Sequence, residues 1–418
     1  MRSVIPQPDG WRLTTIGGLA THGSDAVVGG PFGSSLTTKD YVPSGVPVIR
    51  GSNLSGEECQ FIDDNFMYVS DEKAVELSRN TAEPGDVIFT QRGTLGQVAI
   101  IPADARFSTY IVSQSQMRVR VDEVAVLPRF LYWQYRGPFA KRYLESRTLA
   151  TGVPHINLGI LKDFPAALPP LPEQRRIVAI LDEADALRRK RREALGLLDE
   201  LLRSAFLEMF GDPVTNPQGW PVMPLRRVIS SIEPGWSAKG SDRPAQSGEW
   251  GVLKISAVTT GMFRSEENKS VGDPVFSREP VVPRQGDLLF SRANTRELVA
   301  ATCLVDQDVS GLFLPDKLWR ISCDPGHAVV EWLRFLLAHD GFRSTLTKNA
   351  TGTSGSMLNV SQEKLLDLDA PVPPLDIQRR FARAVWDGSA ERIRVSSAAQ
   401  ELDALFESLL HRAFSGEL

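Results

Sequence analysis

Two hydrophobic rhythms alternate along this 418-residue chain. Short apolar runs come first in each half: VPVIRG, DVIFT, QVAII and QMRVRV, then WGVLKI, DLLFS and VAATCLV. Gly, Pro, Asn and Asp separate them, and β-prone runs bounded by turn formers predict strands. A helical piece is expected late in each half, PRFLYWQYRGPFAKRYLE at 128–145 and VVEWLRFLLAHDGFRSTL at 329–346. The period then changes. From Ile177, apolar residues recur at Ile180, Ala184, Leu187, Ala194, Leu198, Leu201 and Ala205. That spacing predicts one helix of about 35 residues, or roughly 50 Å. The second half answers with Phe381, Ala384, Val395, Ala398, Leu402, Leu405 and Leu409, a weaker pattern interrupted by Gly388. Pro172 and Pro373-Pro374 suit helix starts, and Gly211 suits a stop. The apolar stripes predict that the two helices pack together, Ile177, Ile180, Leu187, Leu198 and Leu201 meeting Leu402, Leu405 and Leu409. In the competing arrangement each helix lies on its own globular domain.

The chain also repeats itself. DGWRLTTIGGL at 9–19 returns as QGWPVMPLRRV at 218–228, and GDVIFTQRG at 85–93 as GDLLFSRAN at 286–294. ATGVPHINL at 150–158 is followed by ATGTSGSMLNV at 350–360, PPLPEQRR at 169–176 by PPLDIQRR at 373–380, and ELLRSAF at 200–206 by SLLHRAF at 408–414. Five stations in one order, roughly 200 residues apart, indicate a duplicated fold with diverged loops. The expected class is α+β: two pseudo-symmetric mixed domains at 1–167 and 212–371, with helical segments at 168–211 and 372–418. The two long helices would run antiparallel as a coiled coil.

Composition narrows the class. The chain is 42% hydrophobic and 23% charged, and no apolar run approaches the ~18 residues of a membrane span. Its N-terminal stretch lacks a secretory pattern, so the cytoplasm is the expected compartment. Cys59, Cys303 and Cys323 are widely separated and fit neither a disulfide framework nor a zinc site. A net charge of −4 argues against a uniformly basic nucleic-acid binder and requires any such surface to be local. No phosphate-binding Gly-rich Lys motif, dinucleotide fingerprint, zinc-protease helix or nucleophile elbow is present.

What the chain offers instead is a set of polar loops. GGPFGSSL at 29–36 is either an ordinary turn or a cluster of backbone N–H groups near phosphate. VIRGSNL ends a strand with Arg50, Ser52 and Asn53, and WGVLKI ends with Lys254. Arginine reads guanine and asparagine reads adenine by paired hydrogen bonds, and both serve phosphates. Gln91 and Arg92 sit on a predicted hairpin tip, with Arg292, Asn294 and Arg296 at the corresponding station. His155 and Asn157, then Ser354 and Asn359, lie in the paired polar loops, with helix capping the alternative role. The RRKRR run at 188–192 is a solvated helix face or a phosphate-facing patch.

Taken together, these residues resemble the specificity subunit of type I restriction-modification systems. The resemblance rests on GGPFGSSLTTKDYVPSGVPVIRGSNL, GDVIFTQRGTLGQVAII, TGVPHINLGILKDFPAALPPLPEQRRIVAILDEADAL and LLHRAFSGEL, and runs from Trp11 to Leu418. The second half departs from it, with EPGWSAKGSDRP in place of the GGPFGS loop. The resemblance implies a non-catalytic subunit whose two target-recognition domains each read half of a split double-stranded DNA target, with the helices setting the spacer. It further implies two methyltransferase subunits docked on the chain, joined by motor-nuclease subunits. It implies no cofactor in this chain; S-adenosylmethionine, ATP and Mg2+ would belong to the partners. A methylation-only or other phage-defence assembly is the neighbouring alternative. A self-contained DNA-modifying enzyme and a purely structural linker are the readings from other classes.

Overall fold

The same sheet is built twice. In the first half, Val27–Gly29, Gln116–Val119, Val87–Thr90 and Val98–Ile100 form a four-stranded sheet in that order. In the second, Ile229–Pro234, Leu318–Cys323, Leu288–Ser291 and Thr302–Leu304 repeat the order. Every neighbouring pair in both sheets is antiparallel. Beside each lies a second sheet holding one parallel pair, Val46–Ile49 with Tyr110–Val112 and Trp250–Leu253 with Leu312–Phe313. The computed structural model describes residues 8–23, 25–54, 61–148, 153–272, 279–348 and 358–418, so Ser354 lies outside the described residues.

The GD stations are explained by this sheet. Gly85 and Gly286 take φ of +93° and +92°, a left-handed turn that a Cβ disfavours. The aspartates that follow accept the backbone N–H three residues upstream, Glu83 to Asp86 and Arg284 to Asp287, both at 2.9 Å. Each is also held by arginine from the adjoining strand region: Arg120 grips Asp86 through two bonds of 2.9 and 2.8 Å, and Arg320 reaches Asp287 at 3.4 Å. Asp86 is buried, and its partners supply the charge and hydrogen bonds that burial requires.

Both long helices are longer than their apolar periodicity predicts. They span Leu171–Phe210 and Leu375–Ser415, 40 and 41 residues, so each rises roughly 60 Å. The first begins ahead of Ile177, and Pro172 stands in its first turn, where a missing N–H costs nothing. Gly388 does not break the second helix; it admits Leu202 of the first, whose side-chain carbons would lie within 3.4 Å of a Cβ there.

The chain divides into two compact units, residues 1–190 with 398–418, and 191–397. Each unit contains one β-rich domain and a stretch of both long helices, running antiparallel. In the first unit, Arg188 lies over the Phe406 ring at 4.1 Å and donates to Asp403 at 2.5 Å. Phe406 meets Trp133 edge-on at 5.5 Å, and Phe414 meets Phe130 at 5.4 Å. In the second unit, Arg392 pairs with Asp199, and Phe381 contacts Phe206, Phe210 and Phe335 at 5.6, 5.3 and 5.0 Å.

The seam therefore differs from the stripe read in the sequence. Ile177 is buried, and Ile180, Leu198, Leu402 and Leu409 are half-buried, but Leu187, Leu201 and Leu405 are 48%, 63% and 53% exposed. Large aromatics and a charged pair occupy the contact line that an all-aliphatic stripe predicts. Arg188 and Arg189 of the basic run both reach Asp185 on the same helix, leaving Lys190 and Arg191 exposed.

The QRR punctuation has a specific structural use. Gln174 and Gln378 have no exposed surface. The Gln174 amide accepts from Leu127 N at 2.9 Å and donates to the Ala125 and Pro169 carbonyls at 3.0 and 2.9 Å. Gln378 repeats all three bonds, accepting from Val329 N at 3.0 Å and donating to His327 and Pro373 carbonyls at 3.0 and 2.7 Å. One side chain thus ties a long helix's first turn to the strand before it and to the segment entering the helical piece Pro128–Arg136 or Val330–Ala338. Truncating it orphans buried backbone groups at about 1–3 kcal/mol each. Gln174→Ala and Gln378→Ala are each expected to destabilise by about 2–4 kcal/mol. Amide exchange should accelerate at Leu127 in the first variant and Val329 in the second; unchanged exchange would refute the clamp.

Candidate nucleic-acid interface

Stations distant in sequence converge in each unit. In the first, Arg92 and His155 are antiparallel bridge partners. Ile156 N donates to Gln91 O at 3.0 Å, and Gly93 N to Pro154 O at 3.2 Å. In the second, Ala293–Asn294 pairs with Leu358–Asn359, and Val360 N donates to Arg292 O at 2.8 Å. Gln91 N and Arg292 N make matching bonds to the Ser115 and Lys317 carbonyls at 2.8 and 3.0 Å.

Hydrogen bonding sets the register, and at the GD stations it is the one obtained by aligning GDVIFTQRG with GDLLFSRAN. Arg292 occupies the place of Gln91, not of Arg92, whose counterpart is Ala293. Likewise His155 corresponds to Asn359. Arg92 and Arg296 are exposed, while Gln91, His155, Arg292, Asn294 and Asn359 are half-buried. Arg292 is partly committed, its Nε donating to the Asp316 carbonyl at 3.1 Å, and Asn294 Oδ1 accepts from Thr295 N at 2.8 Å. His155 Nδ1 lies 3.1 Å from the Val153 carbonyl.

Two other candidates have local duties. Asn157 caps Leu158–Lys162, its Oδ1 accepting from Ile160 N at 2.9 Å, and Ser361 caps Gln362–Leu366 at the matching place. Asn53 is buried: its Oδ1 accepts from Arg50 N at 3.0 Å and its Nδ2 donates to Ile62 and Asp64 carbonyls at 3.1 and 2.9 Å. Its side chain is spent on holding the turn and is not free to read a base. Arg50 and Lys254 both end the parallel-paired strand and open a short 3-10 turn, Gly51–Asn53 or Ile255–Ala257. Ser52 is exposed on the first of these turns.

The Gly-rich loop borders an open cleft of about 690 Å3 in the first unit, which also takes in Lys73, Arg79 and Lys162. Gly30 is required by close approach, since a Cβ there would fall 1.9 Å from the Ser113 carbonyl oxygen. Gly235 does the same against Leu314, at 2.2 Å, and the two glycines donate to equivalent carbonyls of Gln116 and Leu318. EPGWSAKG is therefore the same loop base with a different tip. At those tips Phe32 is 74% exposed, while Trp236 stacks on Phe313 at 5.7 Å. The cations of the cleft come from a short helix, Asp71–Glu76, the turn after it, and the capped helix Leu158–Lys162. Arg79 is paired with Asp25 at 3.0 Å and Lys73 with Glu76 at 2.8 Å.

Comparison with known proteins gives this surface a context. Residues 10–196 match the family model of the type I restriction modification DNA specificity domain. Its first half thus resembles the type I DNA specificity domain, and the relatives it matches are type I specificity subunits. It is 28% identical over 176 residues to the EcoEI specificity subunit of Escherichia coli, a match covering 42% of this chain and 30% of that one. It is 25% identical over 287 residues to the MjaVIII specificity subunit of Methanocaldococcus jannaschii, covering 64% and 65%. The matched segments thus span less than two thirds of either relative. In fold, the chain is similar over 98% of its length to the S subunit of M. genitalium, with a TM-score of 0.56 at 13% identity. A chain from a structural study of type I R-M complex assembly gives 0.54 at 21% identity over 99% of both. The DNA-specificity family assignment and the paired polar loops fall on the same residues in the first unit.

Among the described residues no group of three or more His, Cys, Asp or Glu is placed to hold a metal, and no helix is long and apolar enough to cross a membrane. Burial pushes the thiols of buried Cys303 and half-buried Cys323 upward, the latter to about 12, which disfavours the reactive thiolate. Asn53→Ala should lower the first unit's stability by about 2–3 kcal/mol in chemical denaturation, because it orphans three backbone groups. A neutral effect would return Asn53 to the set of base-reading candidates.

Proposed function

We propose that the chain is a non-catalytic, sequence-specific subunit for double-stranded DNA, each recognition domain reading one half of a bipartite target. The observation that carries this reading is the repeated junction of loops: GDVIFTQRG meets the 154–156 segment, and GDLLFSRAN meets the Asn359 strand, with arginine-bearing tips in both units. In this reading Arg92, Arg292 and Arg296 approach bases or phosphates, with Gln91, His155, Asn294 and Asn359 beside them. Arg50, Ser52 and Lys254 contribute from the neighbouring strand ends.

The long helices act as the spacer and as the docking surface for two methyltransferase subunits. The outward leucines Leu187, Leu201 and Leu405 suit that second use, since apolar side chains left off the pairing seam gain from a protein partner. Motor-nuclease subunits would join this core, and S-adenosylmethionine, ATP and Mg2+ would act in the partners. A cytoplasmic assembly is the setting this implies.

Methylome sequencing of a host expressing the chain with a cognate methyltransferase tests the reading directly. A bipartite methylated motif that disappears when only this chain is removed is the expected result; methylation independent of the chain would overturn it. Arg92→Ala and Arg292→Ala should each weaken specific DNA binding by about 1–3 kcal/mol if they touch bases. Filter binding at fixed salt is the measurement. Four residues inserted between Leu195 and Leu198, about one helical turn, should change the spacer in the methylated motif while both half-sites stay the same.

A further inference from the structure

A cavity of about 310 Å3 opens in the second unit. Arg203 of the first long helix, Thr259, Thr260, Arg334, His339 and Arg343 contribute its polar lining. Asp340 is the only carboxylate in that lining, and it is exposed. Arg334 and Arg343 are half-buried, and their hydrogen bonds go to neutral groups only. Arg334 Nη2 donates to the Gly261 carbonyl at 3.0 Å, and its guanidinium lies over the Phe335 ring at 4.3 Å. Arg343 Nε donates to the Val299 carbonyl at 3.0 Å and Nη2 to the Glu297 carbonyl at 2.5 Å. Among the described residues no carboxylate lies within ion-pair distance of Arg203, Arg334 or Arg343. Burial depresses the basicity of both Arg334 and Arg343, outweighing the more distant pull of Asp199 on the first and of Asp340 on the second. Nδ1 of His339 is buried with no hydrogen-bond partner.

The fold itself does not need these charges. The nine-residue helices Pro128–Arg136 and Val330–Ala338 correspond position by position, so Arg334 stands where the first unit has Tyr132. Tyr132 is fully buried there, edge-on to Trp133 at 4.8 Å, with arginines stacked on its ring. An aromatic fills that site at no electrostatic cost, whereas uncompensated buried charge costs several kcal/mol in general. Its presence in one copy alone calls for a partner of opposite sign.

We propose that this cavity binds a small phosphate-bearing anion. Fixed guanidiniums with two neighbouring threonine hydroxyls match the several acceptor oxygens of a tetrahedral oxyanion. A volume near 310 Å3 is at the small end of ligand sites, which favours a free phosphate or phosphate monoester over a stretch of polymer. Arg343 also holds the carbonyls of the loop that follows Asn294 and Arg296, and that loop passes through Ala300, buried at φ +62°. An anion engaging Arg343 thus bears on the backbone behind the second reading loop.

Calorimetric titration of the full chain with inorganic phosphate, against chloride at equal ionic strength, tests the site. One saturable phosphate event is expected, weakened about tenfold or more by Arg343→Gln and measurably by Arg203→Gln. Arg203 is exposed, so its variant keeps the experiment decisive where an Arg343 variant misfolds. Arg191→Gln, an exposed cation outside the cavity, should leave the affinity unchanged. Phosphate indistinguishable from chloride, or unaltered affinity in the Arg203 variant, overturns the proposal. A DNA duplex added to the phosphate-loaded chain separates the two phosphate sources: retained phosphate supports a free anion, and displacement reassigns the cavity to backbone phosphate.

Discussion

Each unit depends on how a long helix leaves a small β domain without leaving buried backbone unpaired. A strand, a helical piece and the long helix converge at that exit, and each brings groups that no secondary structure satisfies. The buried glutamine answers all of them at once, Gln174 in one copy and Gln378 in the other. Its amide carries both a donor and an acceptor, which neither glutamate nor lysine can offer without burying charge. That amide ties the start of each long helix to the domain it leaves.

Around this clamp the two copies solve the same packing problem with different chemistry. In the first unit Arg129 and Trp133 both donate to Asp182 on the long helix, each at 2.7 Å. In the second, acid and donor exchange sides, and Trp386 of the long helix donates to Glu331 at 2.6 Å. The bond survives because the geometry needs a donor facing an acceptor and is indifferent to which element supplies which. Such exchange is what a duplication accumulates when hydrogen-bond satisfaction is constrained and residue identity is not.

This explains how much could be read in advance. The duplication, the strand runs, the two long helices and the pairing of stations were legible because periodicity and repeated turn signals are local properties of the chain. The seam was not: Leu187, Leu201 and Leu405 fit the 3-4 spacing as well as the true contacts do, and only the partner helix decides which stripe is covered. Base-reading candidates were harder still. Asn53 and Arg92 are both polar residues in loops, yet one is consumed by backbone and the other is exposed. That difference depends on where Ile62 and Asp64 lie, about ten positions later in a turn that no motif announces. Lys73, Arg79 and Lys162 escaped notice for the related reason that a cleft assembled from three short segments has no linear signature.

Gly30 and Gly235 have an evolutionary consequence. Each lets one loop pass within contact of a neighbouring carbonyl, a backbone approach to which the tip side chains contribute nothing. In the first copy Asn80 Nδ2 adds a bond to the Gly29 carbonyl from outside the loop. The exposed Phe32 can therefore be exchanged by mutation or recombination without disturbing the support beneath. New recognition properties become accessible through changes in surface residues while the scaffold under them keeps its conformation.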